Sequence, residues 1–169
     1  MVFLDQSGAT TQRTRNYARA PRGQRVKEAT PQGHWQTLTM LAALTLRGLQ
    51  SPMTIAEPTD GDIFLAYLEQ VLCPQLRPGQ VVIMDNLSAH KVEGVRALIE
   101  ATGARLMYLP PYSPDHNPIE QAWSKVKQFL RSLKARTAEA LEMAVADALA
   151  AITAENAAAW FSHCGYGLH

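Results

Sequence analysis

The chain has few of the features that mark secreted or membrane proteins. It contains only two cysteines in 169 residues, Cys73 and Cys164, and their wide spacing argues against a zinc knuckle or a disulfide framework. No apolar run reaches the ~18 residues that suggest a membrane span. The first five residues show neither the basic segment nor the cleavage site of a secretory signal. We therefore expect a reduced, cytoplasmic setting without membrane contact, and a single domain spanning residues 1–169.

Net charge is also small, +1 at pH 7, but the basic residues are unevenly distributed. Residues 12–27 contain no acid and carry a first basic zone: Arg13, Arg15, Arg19, Arg22, Arg25 and Lys27. Residues 121–138 also contain no acid and carry a second: Lys125, Lys127, Arg131, Lys134 and Arg136. Two such zones predict a polyanionic partner. The alternative is that both are ordinary solvated surfaces.

Hydrophobic periodicity predicts a mixed α/β domain built around one sheet. Strand patterns occur at residues 1–5, 34–46, 51–58, 81–85 and 104–109. Helical patterns occur at residues 60–76, 91–102, 117–134, 137–152 and 154–163. The polar stretch 6–33 is expected to have little regular structure. Antiparallel strands precede an alternation of helices and strands, and this order is typical of a sheet covered by helices.

Three acidic side chains occupy positions where they could converge. Asp5 and Asp85 are predicted at the ends of the first and fourth strands, and Glu120 in the first turn of the helix after the fifth. If strands one and four are neighbours, the aspartates emerge side by side, and the stiff proline-rich loop 110–118 can direct Glu120 towards them. Packed carboxylates repel one another unless a divalent cation lies between them. Mg²⁺ prefers such oxygen ligands, and two ions ~3.5–4 Å apart could activate the attacking oxygen and stabilise the leaving oxygen at a phosphate.

Each acid also has a purely structural interpretation. Asp5, which is followed by Gln-Ser-Gly, could begin a turn, and Asp85 with the following asparagine also suits a turn. Asn117 could cap the next helix with Pro118 at its first position, which would make Glu120 the partner in a capping box. Such caps contribute roughly 0.5–2 kcal/mol, which is enough to account for these residues without any chemistry.

Three segments resemble the catalytic blocks of DDE transposases of the mariner superfamily, in its bacterial insertion-sequence branch. They are FLDQSG (3–8), VVIMDNLSAH (81–90) and LPPYSPDHNPIEQAWSKVK (109–127). The third is the most specific, and thirty-four residues separate Asp85 from Glu120, a spacing that this branch uses. The resemblance covers nearly the whole chain, through HCGY (163–166). It implies an RNase H-like fold, with a mixed five-stranded sheet of three antiparallel and then two parallel strands, flanked by helices.

The resemblance also implies the site and its chemistry. Three positions match the family's catalytic and metal-binding triad: Asp5, Asp85 and Glu120. The implied cofactor is Mg²⁺ or Mn²⁺, with two ions in the site. Asn86 and His90 match a signature that supports the site, although His90 could instead be a histidine at a helix start that is satisfied by the backbone. Many relatives have Glu where this chain has Gln6, a difference that could weaken a secondary metal contact.

The helix that carries Glu120 is predicted to have two distinct faces. Apolar residues at helical spacing predict a stripe towards the core: Ile119, Trp123, Val126, Leu130 and Leu133. One residue further on, the same spacing places a cationic ridge: Lys127, Arg131 and Lys134, after Ser124. Such charges neutralise phosphates, so we expect DNA contacts at this ridge, at Lys125, and at Arg13, Arg15, Arg19, Arg22 and Arg25. Trp123 and Trp160 are interpreted as core residues rather than base-stacking platforms, and Trp35, which opens a strand, is interpreted as structural.

The predicted function is that of a transposase catalytic domain, which cuts DNA at element ends and joins it to target DNA, as a homodimer in the DNA complex. Relatives carry N-terminal helix-turn-helix modules, whereas this chain begins at the first catalytic strand. We therefore expect those modules to be absent from this chain. The chain would then be a truncation, or a product that needs a separately encoded or frameshift-fused N-terminal part. Two alternatives remain open: another RNase H-like nuclease, and a non-catalytic, DNA-binding remnant of a transposase.

Overall fold

One five-stranded sheet forms the centre of the computed structural model, which describes residues 1–12, 19–27 and 35–167. Its strands are β1 Val2–Thr10, β2 Thr37–Thr45, β3 Gly48–Ile55, β4 Val81–Met84 and β5 Arg105–Tyr108. Their order in the sheet is β3-β2-β1-β4-β5. The pairs β1–β2 and β2–β3 are antiparallel, and the pairs β1–β4 and β4–β5 are parallel. The predicted sheet of three antiparallel and two parallel strands is confirmed.

β1 is longer than the sequence pattern predicted. The expected strand ended at Asp5, with a turn or irregular chain to follow, but β1 continues because β2 pairs with it as far as Thr10 and Thr37. Asp5 therefore lies inside a strand, opposite Ala42. On its other side, β1 pairs with the shorter β4 only as far as Leu4. Asp5 therefore reaches the site described below because β4 stops beside it, and not because β1 ends there.

Helices cover both faces of the sheet. One face packs against α1 Gly61–Tyr67 and α2 Val95–Ala101. α1 continues as a π-helix, Leu68–Leu72, and a 3₁₀ turn, Cys73–Gln75. The other face packs against three helices: α3 Pro118–Leu133, α4 Ala138–Ala150 and α5 Ala154–His163. β2 therefore contributes Met40 and Ala42 to one core and Leu41 and Ala43 to the other. The middle of β2 is apolar on both faces because helices cover the strand on both sides. In the described part of the chain, no helix combines the length and apolar character needed to cross a bilayer.

Two helix boundaries differ from the prediction, each for a backbone reason. The helix expected at 91–102 is divided into a 3₁₀ turn, Ser88–Lys91, and α2, because Gly94 between them has φ of 97°, which a right-handed helix does not allow. At the other end of the molecule, α3 stops where Lys134 adopts a left-handed conformation, with φ of 53°. Leu133, the last residue of α3, is 49% exposed and is not part of the core stripe, contrary to the prediction.

Candidate active site

Two of the three predicted acids lie side by side at the carboxyl end of β4. The parallel register between β1 and β4 pairs Leu4 with Met84, and Asp5 and Asp85 are the next residues on each chain. Because side chains alternate along a strand, Asp5 points to the same face as Phe3, towards the core formed with α3, α4 and α5. Asp85 follows the last residue of β4 and begins the loop at this edge. Strand pairing therefore brings together two acids that are distant in the sequence.

Asp5 is a buried carboxylate held by two donors. Its side chain is only 3% exposed. The backbone N–H of Gln6 donates to Oδ1 at 2.7 Å, and the indole N–H of Trp123 donates to Oδ2 at 3.1 Å. Burial raises the pKa of Asp5 from 3.8 to about 7; the Gln6 hydrogen bond opposes this rise, and the charges of Glu120 and Asp85 add to it. The site thus holds an acid whose ionised form is disfavoured unless a positive charge approaches it.

The pKa of Asp85 is shifted in the opposite direction from that of Asp5. Its Oδ1 accepts from the backbone N–H of Leu87 at 3.1 Å and lies 2.7 Å from Nδ1 of His90. Partial burial alone would raise the pKa of Asp85, but the hydrogen bonds from His90 and Leu87 and the charge of Lys91 outweigh it and lower the pKa. An ionised carboxylate can only accept, so His90 carries its proton on Nδ1. The backbone interpretation of His90 is therefore wrong for its ring, which bonds a carboxylate.

The ring of His90 is locked in place by its surroundings. It is fully buried and stacks on Phe64 with ring centroids 4.6 Å apart. Its backbone carbonyl accepts from the hydroxyl of Tyr108 at 2.8 Å. Its second nitrogen, Nε2, has no hydrogen-bond partner among the described residues. Packing and one directional bond therefore fix the orientation in which His90 presents Nδ1 to Asp85.

Glu120 lies on the wall of the cavity at this edge. It is exposed in the first turn of α3 and, with Asp85, lines a cavity of about 530 Å³. Asn117 occupies the N-cap position, but its side chain makes no capping hydrogen bond, and only its backbone carbonyl accepts from the N–H of Glu120, at 3.1 Å. The capping-box interpretation is therefore wrong, and the carboxylate of Glu120 is available to the cavity.

A proline-rich loop forms the remaining wall of the cavity. The side-chain amide of Asn86 donates to the carbonyl of Leu109, so the loop after β4 is tied to the loop after β5. Pro110, Pro111 and Pro114 restrict the loop backbone. Asn86 thus has a structural role in the cavity wall, which supports the site by joining its two loops.

The donor set at this edge suits a hard divalent cation. One ligand atom from each of Asp5, Asp85 and His90 lies within 4.8 Å of the others, and Glu120 is outside that group. Nδ1 of His90 already bonds Asp85, so the oxygens of the two aspartates are the better ligands, as Mg²⁺ prefers. Gln6 points to the opposite face of β1 from Asp5, and its buried Oε1 has no partner among the described residues.

The predicted DNA-contacting residues fall into three groups. Arg13 and Arg15 lie outside the described residues. Three other arginines are exposed in segment 19–27, which has no helix or strand: Arg19, Arg22 and Arg25. On α3, three half-buried cations follow Glu120 at helical spacing: Lys127, Arg131 and Lys134. The ammonium of Lys125, in contrast, donates to the Ala151 carbonyl at 3.1 Å and to Oδ1 of Asn156 at 2.5 Å, and so joins α3 to the end of α4 and the first turn of α5.

Sequence reasoning missed three residues around the cavity. Trp123 was correctly predicted to be buried, but its bond to Asp5 was not foreseen. Lys91 lines the cavity, with its ammonium 5.8 Å from the centre of the Tyr108 ring. Tyr112 is fully exposed on the proline-rich loop, with a left-handed φ of 57°. Only Tyr112 had a local signal, since an aromatic residue between prolines in a polar loop has no core to enter.

Comparisons with known proteins agree with this geometry. A family model described as "DDE superfamily endonuclease" matches residues 1–142. No curated protein is similar enough in sequence to count as a match. Among solved structures, a Mos1 transposase paired-end complex has a TM-score of 0.74 and 14% identity, over 96% of this chain and 51% of that one. The catalytic domain of Mos1 mariner transposase has a TM-score of 0.64 and 14% identity, over 96% and 74%.

The fold extends to a retroviral enzyme as well. The catalytic core domain of BIV integrase has a TM-score of 0.52 and 13% identity, over 88% of this chain and 79% of that one. At these identities the similarity shows a shared fold, the RNase H-like mixed sheet of transposase and integrase cores. The chain spans about half the length of the Mos1 chain in the paired-end complex. Because the family model matches most of its residues, the chain belongs to the DDE superfamily of endonucleases.

Proposed function

We propose that this chain is a transposase catalytic domain that cuts DNA strands at the ends of a mobile element and joins the freed 3′ ends to target DNA. The observation that carries the proposal is the proximity of Asp5 and Asp85 at one sheet edge, with Asp85 and Glu120 lining one cavity there. The family match and the folds of the Mos1 and integrase cores support it. Membership of the bacterial insertion-sequence branch stays a prediction from the sequence blocks.

We also propose Mg²⁺ or Mn²⁺ as the cofactor, as two ions held by Asp5, Asp85 and Glu120. The hard oxygen donors and the raised pKa of buried Asp5 fit cations, because a nearby positive charge favours the ionised carboxylate. Two Mos1 paired-end complexes were determined with Mn and with Mg, which supports this choice. When bound, such ions polarise a phosphodiester and promote ionisation of the attacking water or 3′-hydroxyl.

In this proposal each residue of the site has a separate role. Asp85 is kept ionised by His90 and presents Oδ2, the oxygen that accepts no hydrogen bond from the described residues. Asp5 gives up its proton when positive charge arrives, since its pKa of about 7 leaves it partly protonated near neutrality. Glu120 would complete the ligand set from the wall of the cavity. Asn86 holds the proline-rich loop beside it through Leu109.

DNA would approach along the α3 face and the proline-rich loop. Lys127 lies about two turns after Glu120 and Arg131 about one turn further, so both can neutralise backbone phosphates on the same side of the reacting one. Tyr112, fully exposed beside the cavity, offers a ring on which an unpaired base can stack. We further propose that two copies of the chain act together on paired ends. The Mos1 neighbour, which is a paired-end complex, supports that arrangement.

A joining assay with matched glutamate variants tests the proposed function. A labelled oligonucleotide with a free 3′-hydroxyl is incubated with plasmid and Mn²⁺, and both nicking and joined product are measured. We expect Glu120→Gln to reduce both by about 100-fold or more, since it removes a ligand for the cation. Glu139→Gln is the control, because Glu139 is an exposed glutamate in the first turn of α4. It should leave both rates within about twofold.

Different outcomes separate the candidate functions. Metal-dependent nicking without any joined product would indicate a hydrolytic RNase H-like nuclease instead of a transposase. DNA binding without nicking, unchanged by Asp85→Ala, would indicate a non-catalytic remnant. Equal activity of the Glu120 and Glu139 variants would remove Glu120 from the proposed site.

A further inference from the structure

Each aspartate of the site is oriented by a ring N–H that comes from a different layer of the fold. His90, on the α1 and α2 side, bonds Asp85. Trp123, on the α3 side, bonds Asp5 at 3.1 Å and is itself only 1% exposed. A Trp in an apolar core needs no carboxylate to be buried. The indole N–H, however, needs an acceptor, and Asp5 is the acceptor that it finds.

The two donors on Asp5 restrict its carboxylate to one orientation. Gln6 bonds Oδ1 and Trp123 bonds Oδ2, so rotation about the last side-chain bond would break both bonds together. Each carboxylate oxygen can accept about two hydrogen bonds, so each retains an acceptor direction that no described donor uses. Without the indole bond, only the Gln6 bond would oppose rotation of the carboxylate, and an ion would have to restrict that motion when it binds.

The same bond connects Asp5 to the position of Glu120. Trp123 lies three residues after Glu120, which is about one helical turn and about 4.5 Å along the axis. The other buried residues of α3 make apolar contacts, which are non-directional and tolerate sliding and rotation of the helix. The Trp123–Asp5 hydrogen bond, which joins residues 118 apart in the sequence, is directional. It therefore sets the position of α3 relative to β1 at the turn that presents Glu120.

We propose that Trp123 is a positioning residue of the metal site: its indole N–H orients Asp5 and fixes the distance from Asp5 to the Glu120-bearing turn of α3. This inference rests on the proposed function, since it assigns Trp123 a part in cation binding. Partners that orient metal ligands typically change metal affinity by about 10–100-fold when they are removed. Trp123 is such a partner, because its N–H comes from α3, the helix that also carries Glu120.

The test compares two Trp→Phe variants of the full chain. Trp123→Phe keeps an aromatic ring but removes the N–H, and we expect it to raise the Kd for Mn²⁺ by about 10-fold. Trp160→Phe is the matched control, because Trp160 packs against the same core from α5 and donates no hydrogen bond to a carboxylate among the described residues. It should change the Kd by less than about twofold. Titration of Mn²⁺ gives the Kd, and far-ultraviolet circular dichroism and Tm report the fold.

A second measurement separates positioning from packing. Glu120→Gln should raise the Kd for Mn²⁺ by a smaller factor in the Trp123→Phe background than in the wild type, because the turn that carries residue 120 is no longer held. If Trp123→Phe does not fold, a benzothienylalanine analogue serves in its place. The analogue is incorporated in a protein that also carries Trp35→Phe and Trp160→Phe, so that it replaces only Trp123. It preserves the shape of the ring but lacks the N–H.

Three results would contradict the inference, and they can be told apart. A wild-type Kd for Mn²⁺ with a lowered Tm in Trp123→Phe would mean that Trp123 only fills the core. Full additivity of the Trp123 and Glu120 effects would remove the proposed link between Asp5 and α3. No measurable Mn²⁺ binding by the wild type, or binding unaffected by Asp85→Ala, would refute the proposed function itself and this inference with it.

Discussion

Replacing Asp5 by Asn should make the metal-free protein more stable at alkaline pH, although it removes a ligand of the proposed site. The pKa of Asp5 is raised from 3.8 to about 7, mainly by burial. Between these two values the folded protein binds more protons than the unfolded chain, so the wild type loses stability as pH rises through this range. Above pH 7 the folded state contains a buried, ionised carboxylate that a cation would normally offset.

The magnitude follows from the same two pKa values. One pKa unit corresponds to about 1.4 kcal/mol, so a rise from 3.8 to about 7 destabilises the ionised folded state by about 4 kcal/mol. Asn has one acceptor oxygen where Asp has two, and it cannot satisfy both Gln6 and Trp123; a lost bond of this kind costs about 1–2 kcal/mol. The net gain for Asp5→Asn at pH 8 is therefore about 2–3 kcal/mol.

Urea unfolding in EDTA, repeated between pH 4.5 and 8.5, measures this effect. The free energy of unfolding of Asp5→Asn minus that of the wild type should increase with pH and level off above about pH 7. Addition of Mg²⁺ at pH 8 should stabilise the wild type and leave Asp5→Asn nearly unchanged. Asp85→Asn is the matched control with the opposite sign. The pKa of Asp85 is lowered by His90 and Leu87, so its charge stabilises the fold above pH 3.8 and the variant should be less stable at pH 8.

The reasoning fails if the difference between Asp5→Asn and the wild type does not depend on pH. It also fails if Asp5→Asn is the less stable protein at pH 8. Either result would mean that the buried carboxylate is compensated within the metal-free fold, and the electrostatic argument for a cation at Asp5 would lose its basis.

Three further predictions concern the DNA face and the fold. Lys127→Ala combined with Arg131→Ala should weaken DNA binding and reduce the slope of log K against log salt by about 2, measured by fluorescence anisotropy; an unchanged slope would mean that neither contacts phosphate. Tyr112→Ala should weaken binding to a strand end with unpaired bases by about 1–3 kcal/mol while Tyr112→Phe retains it, and equal losses in both would contradict stacking. Thr153→Ala should lower the free energy of unfolding by about 1 kcal/mol without changing nicking, because Thr153 forms the capping box of α5 with Asn156 and neither residue lines the cavity. An altered nicking rate would show that α5 affects the site.

Sequence patterns alone predicted the parts of this protein that depend on local rules. The apolar runs of β4 and β5, the helical spacing of α3 to α5 and the order of the elements follow from burial and periodicity within short segments. The acidic candidates were also evident, because a carboxylate after the buried run Val81–Met84 is unusual in a strand. The resemblance of three blocks then predicted the sheet order that the structure confirms.

Other features depended on contacts that no local pattern encodes. β1 extends beyond Asp5 because β2 supplies hydrogen-bond partners from residues some thirty positions away. The bond from Trp123 to Asp5, which are 118 residues apart, required the packed fold, since helical or strand spacing says nothing about which distant polar atoms meet. Lys125 looked like a DNA contact in the sequence, yet its ammonium joins two parts of the C-terminal helical layer.

The sequence by itself determined which residues could serve the chemistry, and the tertiary structure decided the state in which each is held. Asp5 and Asp85 are the same residue type, yet burial raises the pKa of one and hydrogen bonds lower the pKa of the other. Composition and spacing cannot distinguish them, because desolvation and directional donors arise only when distant segments pack around a side chain.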